Sequence, residues 1–225
     1  AMDVMEAISR RKSIRRFKPD PVSKAILTKI LEAACRAPSA LNSQPWEFVV
    51  LAGDALERAR SAIVGKVKRK EPMHPDLDVS ESWPSDSIYR TRQVELAKQL
   101  FRLMDIRRED RESRAAWLER GFRFFDAPAA ILILTDRCLS DTGPLLDLGA
   151  AMQTLCLAAV NFGLGTCIED QGATYPEVLR EIAHIPEDKK IVIAVAIGYP
   201  DWDFPANALV SDRESLENNT RWVGF

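Results

Sequence analysis

Cysteine and histidine are scarce in this chain of 225 residues, and the few present are scattered. Cys35, Cys138, Cys156 and Cys167 form no CxxC pair, and His74 and His184 stand far apart, which argues against a metal site or a disulfide scaffold. Free thiols, mostly buried, in a reducing compartment are expected instead. An excess of one charge is also missing. The 31 Lys and Arg against 33 Asp and Glu leave a net charge of −2, which excludes a global basic field for nucleic acid or an anionic membrane. No apolar run approaches the roughly 18–20 residues that a membrane-spanning helix needs. The first residues lack the apolar core of a signal peptide, so a cytoplasmic home is expected, and Ala1 before Met2 reads as a cloning remnant. The motifs GxxxxGK, GxSxG and HExxH are absent. Gly163-x-Gly165 lacks a third glycine and follows a helical segment, so it fails as a dinucleotide-binding turn. A cofactor enzyme or a binding module remains.

What the chain does have is enough apolar residue, 46%, to bury a full core, with 28% charged residues on a length suited to one domain. Helices are expected over 3–11, over 24–36 behind a Ser23 cap, and over 55–70, each from apolar residues at helical spacing. Glu47 to Leu51 reads as a strand, and the apolar runs Ala129 to Thr135 and Lys190 to Gly198 read as strands buried on both faces. Asp147 is expected to cap an apolar helix, covered all round, from Leu148 to Phe162 that stops at Gly163. A short strand over 167–170 and a helix over 175–184 follow. Residues 71–120 change character: Pro72, Pro75 and Pro84 mark an irregular excursion, then two helical stretches rich in charge. No linker composition brackets them, so a single domain over 1–225 with a lid or insertion at about 71–120 is expected. Strand and helix alternate with few short crossovers. An α+β architecture, with a central sheet flanked by helices, fits better than a doubly wound one. The polar tail ends in the apolar Trp222-Val223-Gly224-Phe225, which suggests packing on a partner chain.

Two stretches carry more polar chemistry than their elements need. Arg10-Arg11-Lys12-Ser13-Ile14-Arg15-Arg16 sets five cations and a hydroxyl in one turn, suited either to a solvated helix end or to an anionic ligand. Pro38-Ser39-Ala40-Leu41-Asn42-Ser43-Gln44-Pro45 is a proline-bounded loop dense in hydrogen-bonding groups, which could equally serve its own turns.

Arg11 to Arg15 and Pro38 to Trp46 resemble the two opening motifs of the FMN-dependent nitroreductase family. Phe124-Phe125-Asp126-Ala127-Pro128, Gly163-Leu164-Gly165-Thr166-Cys167 and Ile197-Gly198-Tyr199-Pro200 resemble three further blocks of that family, in the same order. The tail, with Pro205-Ala206-Asn207, Ser211-x-Arg213 and Arg221-Trp222-x-Gly224-Phe225, is similar to a subgroup near the nitrobenzoate reductases. The resemblance implies a mainly antiparallel sheet, a homodimer exchanging its C-terminal tails, and one FMN at each subunit interface. Arg11, Lys12, Ser13 and Arg15 would hold the FMN phosphate, ribityl chain and pyrimidine edge, with Arg213 and Ser211 adding contacts from the tail. Pro38, Ser39, Ala40, Leu41, Asn42 and Gln44 would come from the other subunit. Ile168, Glu169 and Asp170 would lie along the isoalloxazine, a backbone N–H there facing N5, with the two acidic side chains turned away. NAD(P)H would be the reductant and a nitroaromatic, quinone or similar acceptor would follow it on the same flavin face. No catalytic side chain and no metal is implied. Trp83, Tyr89 and Phe124 are candidates to stack on the acceptor, Phe124 equally suiting the core, and Arg90 and Arg92 to meet its carboxylate. A reductive dehalogenase of the iodotyrosine deiodinase type, or a flavin-binding sensor with little turnover, are the alternatives.

Overall fold

The computed structural model describes residues 2–80 and 82–225. Ala1, read as a cloning remnant, and Glu81, within the expected lid, lie outside the described residues.

The chain opens with α1 (Val4–Arg10), where the Asp3 carboxylate accepts from Met5 N, and α2 (Lys24–Ala34), where the Ser23 hydroxyl accepts from Ile26 N. After the polar loop come β1 (Glu47–Ala52) and α3 (Gly53–Lys68). Residues 71–80 and 82–87 run without regular structure ahead of α4 (Ile88–Leu103) and α5 (Arg111–Phe122), capped by Ser87 and Asp110. The second half comprises β2 (Ala129–Asp136), α6 (Leu145–Asn161), β3 (Gly165–Glu169), α7 (Pro176–Ala183), β4 (Lys189–Gly198) and α8 (Leu216–Asn219).

The four strands form one antiparallel sheet in the order β1-β2-β4-β3, as the α+β expectation required. Its two central strands were the two continuous apolar runs, and their side chains divide by the two-residue period. Ala130, Leu132 and Leu134 face a core with Leu56, Ala59 and Ile63 of α3 and Leu179 of α7. Ala129, Ile131 and Ile133 face the other core, with Leu27 and Ile30 of α2 and Ala151 and Leu155 of α6. Burying each large aliphatic side chain contributes about 1.5–3 kcal/mol, so the three-layer stack is the main source of stability. A bulge between Ile133 and Leu134 shifts the β2–β4 register.

Three expectations need correction. Asp147 does not cap α6, which begins two residues earlier after Pro144; the side chain lies in the first turn and has other partners. Nor is the segment from Leu148 to Phe162 covered all round, since Gln153 and Asn161 are exposed. Two of the four free cysteines, Cys35 and Cys138, are exposed because each sits in a turn beyond its apolar segment. On α1 the chain buries Ala7 and leaves Val4 and Ile8 open. No described helix is long and apolar enough to cross a membrane.

Candidate functional site

The basic run leaves α1 in extended backbone and lies along the sheet edge. Ile14 N donates to Thr166 O at 2.9 Å, pairing Ser13 with Thr166 of β3, and Ile14 and Phe17 are buried beneath. Arg15 is fixed from both sides of its peptide. Its N–H donates to Asn207 Oδ1 at 2.7 Å, and Arg120 Nη2 donates to its carbonyl at 2.7 Å. Asn207 Nδ2 also donates to the carbonyls of Arg16 and Asp201, each at 2.8 Å. The run is therefore a braced platform, which a solvated turn would not need.

The same packing sorts its cations. Arg10 pairs with Glu6 at 2.8 Å, and Arg16 approaches Asp126 at 3.9 Å. Arg11, Lys12 and Arg15 have no ion-pair partner among the described residues. They line a cleft of about 130 Å³ with Ser13, Leu96 of α4, and Leu209, Ser211 and Arg213 of the tail. Arg213 Nη1 donates to the Ser211 hydroxyl at 2.8 Å, which orients the guanidinium there. Burial lowers the pKa of both Lys12 and Arg15, the direction expected of cations withdrawn from water with no anion opposite. Four cations and two hydroxyls, with no carboxylate in the lining, fit a phosphate group.

Beside the cleft, β3 is the edge of the sheet, and Thr166 turns its carbonyl outward to Ile14. The two-residue alternation gives Ile168 the same outward edge, leaving its peptide N–H free of the β4 ladder. Glu169 belongs to the opposite set. Its carboxyl turns into the core, where Oε2 accepts from Gly172 N at 2.6 Å and Oε1 is buried with no partner. Burial pushes its pKa up to about 8, so the group is neutral at pH 7 and sets no negative charge beside the sheet edge. A Cβ on Gly172 would lie 2.3 Å from the Phe124 ring and 2.6 Å from Glu169 Oε1, so only glycine fits that turn. Asp170 is half-buried just beyond β3.

The polar loop is strained and held. Leu41, Asn42 and Gln44 all have positive φ, with Leu41 fully exposed. Asp147 Oδ2 accepts from Ala40 N at 3.2 Å and from the Ser43 hydroxyl at 3.4 Å, and the Ser39 hydroxyl accepts from Gln44 N at 3.0 Å. Pro38 and Ser39 lead in from α2, and the loop leaves through the buried Trp46. No hydrogen bond among the described residues joins this loop to the basic cleft of its own chain.

The acceptor candidates divide. Trp83 and Tyr89 are exposed and stack on each other at 5.5 Å. Phe124 is fully buried and belongs to the core. Arg90 Nη1 donates to Gln93 at 2.6 Å, and Arg92 pairs with Glu214 at 2.8 Å, so Arg92 is already committed to the tail. Sequence reading missed Asn207, Arg120 and the Asp147 brace. Asn207 lay inside a quoted motif, Pro205-Ala206-Asn207, but nothing local signalled its reach to Arg15.

The model of the Nitroreductase family matches residues 8–199. A 4-nitrobenzoate reductase of Pseudomonas putida is 31% identical over 99% of this chain and 96% of its own length. A nitrobenzene nitroreductase of Ectopseudomonas oleovorans is 33% identical, over 97% and 96%. Among solved structures, the FMN and NADPH-dependent nitroreductase NfnB from Sphigopyxis sp. strain HMH superposes with a TM-score of 0.93 at 28% identity, covering 100% of both chains.

Proposed function

The chain belongs to the Nitroreductase family, and from that premise we propose that it is an FMN-dependent oxidoreductase carrying hydride from NAD(P)H to nitroaromatic, quinone or similar electron-poor acceptors. The observation that carries this reading is the cleft in which Arg11, Lys12, Ser13 and Arg15 meet Ser211 and Arg213 across the whole chain. Those six residues would hold the FMN phosphate and the adjoining polar chain. When bound, FMN supplies hydride acceptance and donation at N5, the basis of a ping-pong exchange between the two substrates.

The chain's own contribution is position and electrostatics. Ile168 would present its free N–H along the isoalloxazine edge, with Glu169 and Asp170 following it in sequence. Glu169, being neutral and turned inward, leaves that edge without a charge to oppose reduced flavin. The loop of Pro38, Ser39, Ala40, Leu41, Asn42 and Gln44 would close the site from a second subunit. Its strained, braced backbone and its separation from the cleft of its own chain support that placement. We further propose that the protein is a cytoplasmic homodimer, that residues 1–225 form a single domain, and that residues 71–120 act as a lid. The open α1 face and the exposed Trp222, Val223 and Phe225 are surfaces that dimer contacts and tail exchange would cover. Trp83 and Tyr89 would stack on the acceptor from the lid.

The dehalogenase alternative needs side chains free to grip a zwitterion, and the Arg92–Glu214 pair removes one of the two arginines, Arg90 and Arg92, named above as carboxylate candidates. The test is direct. Purified protein should be yellow, release FMN on denaturation, and oxidise NADH or NADPH with a nitroaromatic acceptor. Flavin-loaded protein that turns over neither reductant would sink the reductase reading.

A further inference from the structure

Between α4 and α5 lies a second cavity, of about 750 Å³, on the far side of α4 from the tail. Leu96 and Arg92 of α4 face the tail residues 211–214, whereas Arg90, Val94, Ala97, Phe101 and Arg102 face this groove. The two cavities therefore flank one helix, about 10 Å apart by the width of a helix.

Five cations line the groove (Arg90, Lys98, Arg102, Arg108 and Arg114), and no carboxylate does. Lys98 reaches Glu95 at 3.5 Å, but the four arginines have no ion-pair partner among the described residues. That is unusual in a chain whose acids outnumber its cations, 33 to 31, and whose surface is laced with ion pairs. Like charges gathered in a concave site repel one another and raise the local concentration of anions. Arg114 is held in place, its guanidinium 5.4 Å from the Phe101 ring centre and its Nη1 donating to the Arg108 carbonyl at 3.1 Å. The floor, by contrast, is apolar: Val94, Ala97, Phe101 and Ile106.

We propose that the α4–α5 groove binds a phosphate monoester carried on an aromatic nucleoside, its phosphate met by Arg102, Arg108 and Arg114 and its base lying on the apolar floor. Guanidinium forks match phosphate oxygens, the volume is that of a small-ligand site, and the net charge of −2 disfavours a nucleic-acid polymer. Two sources share this chemistry, the phosphorylated adenosine end of NADPH and a free nucleotide. The coenzyme source rests on the reductase reading above; the site itself does not.

The test titrates flavin-loaded protein with 2′,5′-ADP by calorimetry, beside inorganic phosphate and benzoate, at low and raised ionic strength. Saturable, salt-weakened binding of 2′,5′-ADP is expected, with an Arg102→Ala/Arg108→Ala variant binding about tenfold more weakly or worse. Flavin content and NADH turnover should be unchanged in that variant. A matching drop in kcat/KM for NADPH alone assigns the ligand to the reductant, and an unchanged NADPH constant assigns it to a free nucleotide; both support the site. Absent binding in the parent protein, equal binding by the variant, or equally tight binding of phosphate or benzoate overturns the proposal. A failed reductase reading would show separately, as protein without flavin or NADH turnover.

Discussion

The side-chain oxygen of Asn207 accepts from the backbone N–H of Arg15 at 2.7 Å, joining two residues 192 positions apart. Asn207 is fully buried, and its amide also donates to two carbonyls, so one side chain ties the basic run to the turn after β4. Truncation to Ala leaves a buried N–H and two carbonyls short of partners, at a cost of about 2–4 kcal/mol. Asn207→Asp should fare little better, because a carboxylate keeps the acceptor and loses both donors. Denaturant melts measure the stability, and flavin titration should show affinity falling with it.

Removing the proposed phosphate ligands should act differently. Arg11→Ala with Arg213→Ala takes two unpaired cations from the cleft and breaks no ion pair among the described residues. Stability of the flavin-free protein should change by less than about 1 kcal/mol, while flavin is lost on purification. Flavin content equal to the parent's would refute the phosphate assignment.

The Asp147 brace predicts a loop-specific effect. Asp147→Ala frees Ala40 N and the Ser43 hydroxyl, letting a strained loop relax. A loss of about 1–3 kcal/mol in stability is expected, with roughly tenfold weaker flavin binding because the loop must be re-ordered at each binding event. Asp147→Asn, which retains an acceptor oxygen, should recover part of both.

Glu169 predicts a pH dependence. The unfolded chain loses this proton near the ordinary value of 4.5, the folded chain near about 8, so the native state holds the extra proton between them. Stability from this group is complete below pH 4.5 and declines as pH rises towards 8. Glu169→Gln abolishes the titration while keeping an acceptor for Gly172 N. The variant should match the parent near pH 4 and exceed it by on the order of 2–4 kcal/mol at pH 8. Parallel stability curves for the two proteins from pH 4 to pH 8 would contradict this.

Much of the fold was legible in the chain because it rests on short-range rules. The runs Ala129 to Thr135 and Lys190 to Gly198 became the central strands, since continuous β-branched and aliphatic residues suit a sheet covered on both faces. Ser23 and the apolar spacing after it defined α2 to within two residues at its C-terminus. Asp147 was misread by the same local logic: an acid before an apolar helix looks like a cap, and its true partner lies 107 residues away.

The sequence by itself determined which residues could serve an anion, a cluster of cations near the start and Arg213 near the end. Only the tertiary structure decided which of them are left free to do so. Arg10 and Arg16 find carboxylates and are neutralised, while Arg11, Lys12 and Arg15 find none and face Arg213 instead. Likewise Glu169 is an ordinary acid in the sequence and a neutral one in the fold, because burial removes the water that would stabilise its charge. Residue identity sets the chemistry a side chain can offer. Solvation and distance, which exist only once distant segments pack together, set the chemistry it delivers.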